Sequence, residues 1–200
     1  MIHLAMGTNE FYQTLTKGTM VAAERYNGKD FACVLGQEMA GYATGEAFFT
    51  SQALGFRHSH LDSAGYSYDQ KTEEKDAAKA ADFLIKDEQG RVFLTSMLAC
   101  LFARGVYSDE LLGKCLNSVG YTDLAGSIAD VSRHIQKLRW RTRVSTGFDP
   151  RSVSIPKRFT EIVTWKGTID TEYLQSLKDE YSKRIIELSA EDDKKPEGKT

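Results

Sequence analysis

Residues 123–144, DLAGSIADVSRHIQKLRWRTRV, predict the longest helix of the chain and with it a helical fold. The apolar side chains recur every three or four positions, at Leu124, Ile128, Val131, Ile135 and Leu138. Such spacing places them on one face of an α-helix. Thr122 or Asp123 provides the N-terminal cap, because short polar side chains accept hydrogen bonds from the first free N–H groups.

The same reasoning extends to the rest of the chain. The first 149 residues contain no proline, so the strongest helix breaker is absent there. We expect further helices at residues 9–26, 46–55, 71–86, 92–103, 109–119 and 170–188. A turn at 87–90 ends one of them, and the apolar stretch 92–103 predicts a helix buried on every side.

The predicted fold class is therefore mostly α, a multi-helix domain with few and short strands. We expect a chain break at 147–150 and an extended stretch at 155–159. The helical region covers residues 1–189, as one domain or as two packed subdomains at about 1–90 and 91–189. The charged segment 190–200 is expected to be disordered, since it has little to bury.

Composition excludes several classes of function. The chain of 200 residues has a net charge of −2, which gives no reason to expect nucleic acid or an anionic membrane as the partner. No apolar run approaches the roughly 20 residues that span a bilayer. The N-terminus lacks the basic and apolar regions of a secretory signal, so we expect a cytoplasmic protein.

Three cysteines, Cys33, Cys100 and Cys115, form no CxxC pair. An odd number of cysteines argues against a disulfide framework. A zinc or iron–sulfur site usually needs about four ligands, so this chain supplies one ligand at most.

Two polar clusters are candidates for chemistry. The first is Arg57-His58-Ser59-His60-Leu61-Asp62, whose two histidines suit acid–base work or metal binding, although exposed loop histidines are also common. The second is the basic run at 137–143, which we interpret as a partner contact or a solvated helix end, where the helix dipole favours cations.

Several segments, in order, resemble the C-terminal helical domains of the aldehyde ferredoxin oxidoreductase family. Residues 95–102, TSMLACLF, resemble the family motif D-S-L-x-x-C-x-F. Further similar segments are 13–26, 41–45 with His60-Leu61, 133–138, 143–148, IPKRF at 155–159, and 170–181. The resemblance covers nearly the whole chain apart from its charged tail.

This resemblance implies a helical scaffold around a tungsten or molybdenum bis-pterin cofactor. Such enzymes oxidise aldehydes to carboxylic acids and pass the electrons through a [4Fe-4S] cluster to ferredoxin. It further implies that His60 is the active-site histidine and that Cys100 is a ligand of the cluster. Four residues are implied as pterin contacts: Thr95, Ser96, Leu98 and Ala99.

The sequence departs from the family pattern at three points. Thr95 replaces the aspartate that contacts the pterin, His58 competes with His60 for the catalytic place, and the N-terminal sheet domain with its clustered cysteines has no counterpart.

Three hypotheses for the function follow from the resemblance and these departures. The chain is part of an oxidoreductase completed by a partner that carries the N-terminal domain, or a helical binding module without redox activity, or a small metal enzyme that uses residues 57–62.

Overall fold

The structure, a computed structural model, describes residues 2–28, 33–35, 37–38, 42–56 and 61–191. The predicted mostly helical fold is confirmed. The helices are α1 (Ile2–Met6), α2 (Glu10–Leu15), α3 (Thr19–Arg25), α4 (Glu46–Leu54), α5 (Gly65–Lys71), α6 (Ala77–Ser96), α7 (Asp109–Ser118), α8 (Thr122–Gly126), α9 (Ile128–Ser145) and α10 (Thr171–Ala190). Two antiparallel hairpins pair β1 (Cys33–Val34) with β2 (Gln37–Glu38) and β3 (Val163–Thr164) with β4 (Gly167–Thr168).

The larger core lies where α4, α6, α9 and α10 pack against one another. Its side chains are almost fully buried, and each large apolar one contributes about 1.5–3 kcal/mol. We call this group the first core, and its main members are Phe48, Phe49, Leu54, Leu84, Trp140, Leu177, Tyr181 and Ile185.

A smaller core lies beside the C-terminal half of α6. It joins that half to the short 3₁₀ helix Leu101–Ala103, to α7 and to the start of α9. We call it the second core, and its buried members are Phe93, Leu94, Leu101, Leu112, Leu116 and Ile128. Because α6 contributes to both cores, it fixes one relative to the other.

Helix α4 takes its N-terminal cap from another helix. Gly45 at the cap position has no side chain, and Asp69 of α5 accepts hydrogen bonds from the N–H groups of Ala47 (3.2 Å) and Phe48 (2.9 Å). Burial raises the pKa of Asp69 to about 6, although the N–H of Phe48 favours the ionised form. The helices approach closely here, since a Cβ atom on Gly65 would lie 2.3 Å from the carbonyl oxygen of Ala47.

The predicted turn at 87–90 is wrong, because α6 continues through it from Ala77 to Ser96. Asp87 pairs with Arg91 one turn later at 2.6 Å, and Glu88 is buried against α9. These contacts outweigh the helix propensity lost at Gly90, about 1 kcal/mol relative to alanine. The subdomain boundary suggested near residue 90 therefore falls inside a continuous helix.

The predicted buried helix at 92–103 is also wrong in its second half. Helix α6 ends at Ser96, and Met97, Leu98 and Phe102 are exposed. Val92 to Leu94 are buried as expected.

Three other predicted helices are divided or shortened in the structure. Residues 9–26 form two helices separated at Gly18, whose φ of 95° is left-handed. Residues 123–144 divide at Ser127 into α8 and α9. Residues 71–86 are interrupted after Lys71, and α6 starts only at Ala77, behind the cap Asp76.

The remaining predictions have mixed outcomes. Helices α4 and α7 begin at the expected residues, and Asp170 caps α10 as predicted by accepting from the N–H of Tyr173. The extended stretch predicted at 155–159 is instead partly the 3₁₀ helix Lys157–Thr160. Residues 192–200 of the charged tail lie outside the described residues. In the part of the chain that the structure covers, no helix is both long and apolar enough for a membrane crossing.

One buried carboxylate joins α6 to α9. Glu88 is 1% exposed, and its Oε2 accepts hydrogen bonds from Nε2 of Gln136 (2.7 Å) and Nε1 of Trp140 (2.8 Å). Burial raises the pKa of Glu88 to about 7, although both hydrogen bonds favour the ionised form. Glu88 is therefore protonated in the folded chain at pH values where it is ionised in the unfolded chain.

Glu88 is predicted to make folding pH-dependent. The pKa is raised on folding, so the folded chain binds the extra proton and stability falls as pH rises from about 4.5 towards about 7. The decrease amounts to at most about 3 kcal/mol. In urea denaturation at pH 5, 6 and 7, the free energy of unfolding should decrease less with pH for Glu88→Gln than for the wild type. The control is Glu24→Gln, which changes an exposed glutamate and should behave as the wild type. If the free energy of unfolding varied equally with pH in Glu88→Gln and in the wild type, Glu88 would not be the group responsible.

Candidate functional site

The C-terminal end of α6 carries the segment singled out by sequence. After Ser96 the chain reverses in a Schellman motif, in which Leu98 is left-handed with φ of 57°. The N–H of Ala99 donates to the carbonyl of Leu94 (2.9 Å), and the N–H of Leu98 donates to that of Thr95 (3.1 Å). This motif usually places glycine where Leu98 stands.

Leu98 is unusual in two respects. A left-handed conformation costs a non-glycine residue about 1–2 kcal/mol. The side chain is also 94% exposed, so packing within the described residues does not offset that penalty. Phe102, 81% exposed, and Met97 lie beside it in sequence. We call residues 97–102 the exposed segment, within which Leu101 is buried. Backbone strain and exposed apolar side chains together are typical of a functional surface.

The side chains of the exposed segment and of the preceding turn have limited chemistry. The hydroxyls of Thr95 and Ser96 both donate to the carbonyl of Val92, at 2.9 and 2.8 Å. Their oxygens can still accept hydrogen bonds from a ligand, but neither carries a charge. Cys100 is a free, exposed thiol that directly precedes the 3₁₀ helix Leu101–Ala103.

Cys100 fits the role of one cluster ligand and no more. The described residues include no group of three or more histidine, cysteine, aspartate or glutamate side chains that could hold a metal ion. Cys115 is exposed on α7 and Cys33 lies in β1. A [4Fe-4S] cluster at Cys100 thus requires further thiolates from residues beyond those that the structure describes.

His58 and His60, the predicted catalytic residues, lie outside the described residues, which stop at Phe56 and resume at Leu61. The residues on both sides of this stretch are well anchored. On the N-terminal side, Arg143 of α9 donates to the carbonyls of Gly55 (3.0 Å) and Phe56.

Arg139 contacts the residues on both sides of 57–60. Its guanidinium lies 4.0 Å from the centre of the Phe56 ring, within cation–π range. Its Nη2 lies 3.9 Å from the carboxylate of Asp62, which is 2% exposed. The guanidinium of Arg139 thus balances the charge of the buried Asp62 carboxylate.

Helix α6 anchors the C-terminal side. Nη1 of Arg91 donates to the carbonyl of Leu61 at 3.2 Å, and Oδ2 of Asp87 accepts from the N–H of Ala64 at 2.7 Å. The ion pair between Asp87 and Arg91 holds both groups in position. Residues 55–56 are thus tied to α9, and residues 61–64 are tied to α6.

The interpretation of the basic run 137–143 as a solvated helix end is wrong in part, and its alternative, a partner contact, stays a prediction. Lys137 and Trp140 are buried, and Arg143 is half-buried against the ring of Phe148, whose centre lies 4.0 Å away. The one signal in the sequence is Trp140, a large aromatic residue in the middle of the basic run. The contacts of Arg139 and Arg143 with residues 55–62 were not predicted, because they join segments about 80 positions apart in sequence.

The structure brings neighbours of the two predicted sites to one place. Leu61, which follows His60, and Ala99, which precedes Cys100, both pack against the second core. Arg91, which holds the carbonyl of Leu61, lies one turn before Thr95 on α6. The flank of the histidine stretch and the start of the cysteine stretch therefore belong to one region.

Comparison with known protein families gives a match over most of the chain. The family model of aldehyde ferredoxin oxidoreductase, domains 2 & 3, matches residues 1–185. No curated protein and no solved structure gives a match. Since the matching model extends over most of the 200 residues, the chain belongs to the aldehyde ferredoxin oxidoreductase family and corresponds to its domains 2 and 3.

Proposed function

We propose that this chain forms the helical part of a cytoplasmic tungsten or molybdenum bis-pterin oxidoreductase that oxidises aldehydes to carboxylic acids. The electrons leave through a [4Fe-4S] cluster to ferredoxin. The observation that carries the proposal is the match to domains 2 and 3 of the family, with Cys100 free and exposed at the end of α6. The remaining pterin and cluster ligands come from an N-terminal domain or subunit outside the 200 residues.

The residues at the end of α6 have distinct roles in this proposal. Cys100 provides one thiolate to the cluster. Thr95 and Ser96 accept hydrogen bonds from the pterin through hydroxyl oxygens, while Leu98 and Ala99 cover it with apolar surface and backbone. When bound, the metal–pterin group supplies the two-electron redox chemistry that no amino-acid side chain provides.

His60 holds or transfers a proton beside the aldehyde, since imidazole titrates near neutral pH. His58 is the alternative candidate for this role. The described residues next to this stretch are held in place, residues 55–56 by Arg143 and Leu61 by Arg91.

A second candidate function is a helical binding module without redox activity. Thr95 favours it, because an uncharged hydroxyl replaces the family's aspartate and cannot form a charge-assisted hydrogen bond with the pterin. Leu98 and Phe102 favour the oxidoreductase, since their exposed side chains provide a surface for the domain that completes the cofactor site.

The cluster role of Cys100 predicts a specific loss of iron. In the assembled enzyme purified without oxygen from its native cells, the wild type should contain tungsten or molybdenum and about four irons per chain. Cys100→Ser should lose the cluster iron. Cys115→Ser, which changes another free and exposed thiol, should keep it. Unchanged iron in Cys100→Ser contradicts the ligand role, and a metal-free wild type supports the binding module.

Replacement of Leu98 by glycine should stabilise the isolated chain and weaken its assembly with the completing domain or subunit. Leu98→Gly relieves the left-handed strain, so the isolated chain should gain about 0.5–1 kcal/mol in urea denaturation after allowing for glycine's greater unfolded-state entropy. Leu98→Ala keeps the strain and should leave stability nearly unchanged. Both variants remove the exposed side chain, so both should weaken co-purification with the completing domain or subunit. Destabilisation by Leu98→Gly would contradict this reading of the helix end.

A further inference from the structure

A cleft of about 510 Å³ opens between α5, α6 and the chain that leads into α7. It lies beside the second core, and residues from three segments line it. These include Tyr66 and Lys71 of α5, Lys86 and Arg91 of α6, and Arg104 and Tyr107 of the loop before α7. None of the proposed cofactor or cluster contacts lines it. Its volume suits a small molecule.

The cleft carries a positive charge. Four cationic side chains and two carboxylates, Asp87 and Asp109, line it. Asp87 is neutralised by Arg91 at 2.6 Å, and Asp109 lies in the first turn of α7, where the helix dipole stabilises an anion. Lys71 and Lys86 form no ion pair with the residues that the structure describes, so their charges face the cleft or solvent uncompensated.

Arg104 is held in place at the cleft wall. Its Nη2 donates to the hydroxyl of Tyr66 at 2.6 Å, and its Nη1 donates to the carbonyl of Leu101 at 2.8 Å. A guanidinium that is already oriented loses less entropy when it binds a planar or tetrahedral anion. Phe83 and Phe93 provide apolar wall between the charged groups.

Gly90 lies in the wall of this cleft. It lies in the interior of α6, where glycine costs about 1 kcal/mol relative to alanine. An added Cβ atom would meet no other heavy atom within 4 Å, so packing does not require glycine there. The residue lines the cleft, and any larger side chain would project into space that a ligand could occupy.

We propose that this cleft binds a small organic anion, a phosphate monoester or carboxylate with a compact apolar group. The anionic group is bound by Lys71, Lys86 and Arg104, and the apolar group packs on Phe83 and Phe93. The inference is independent of the redox proposal, because it requires neither metal nor cofactor.

Calorimetric titration of the full 200-residue chain with phenyl phosphate and with benzoate tests the inference. Saturable binding is expected for at least one of the two, and the better ligand identifies the preferred anion. Inorganic phosphate should bind more weakly than phenyl phosphate, because it lacks the apolar group. Added sodium chloride should weaken every interaction.

Two variants and a control locate the site. Gly90→Leu fills the cleft and should abolish binding while its thermal midpoint stays at or above that of the wild type, since leucine favours the helix. Lys86→Met should weaken binding about tenfold, the loss of one charge-assisted hydrogen bond. Lys183→Met changes an exposed lysine of α10 that does not line the cleft, and it should bind as the wild type. No saturable binding by the folded wild type, or unchanged binding in a folded Gly90→Leu or in Lys86→Met, overturns the inference.

Discussion

The hydrogen bonds from Gln136 and Trp140 to the buried carboxylate of Glu88 fix α6 against α9, and the other parts of the structure depend on that contact. Helix α6 contributes Leu84 to the first core and Phe93 to the second. It also holds residues 61–64 through Asp87 and Arg91, and its C-terminal end presents the exposed segment. A shift of α6 would therefore move both cores and the candidate site together.

The contact between the two helices also places arginines beside the described residues that flank positions 57–60 in sequence. Arg139 and Arg143 project from α9 at the level of Phe56, while Arg91 reaches Leu61 from α6. The guanidinium groups of Arg143 and Arg91 replace hydrogen bonds that the carbonyls of residues 55, 56 and 61 would otherwise make with water. Arg139 lies 3.9 Å from the buried carboxylate of Asp62, so each balances the charge of the other.

The sequence predicted those elements whose signals are local. Asp170 marks the start of α10, because a capping side chain acts within three residues. The turn predicted at 87–90 failed because Glu88 finds its partners about 50 positions away, which no local pattern reveals. For the same reason the motif resemblance indicated Cys100 and the segment around it, but not the α9 arginines that contact Gly55, Phe56 and Asp62.

Leu98 bears most directly on the choice between an assembled oxidoreductase and an independent binding module. A chain that functions alone has no use for a left-handed leucine with 94% of its surface exposed, since glycine would form the same helix end with less strain. Phe102 adds a second exposed ring within the same turn of chain. Both features become favourable when another domain covers them, because burial of two large apolar side chains exceeds the backbone penalty of about 1–2 kcal/mol. Cys100 lies between them, so the surface that a covering domain would bury is also the surface that would deliver the missing thiolates to this cysteine.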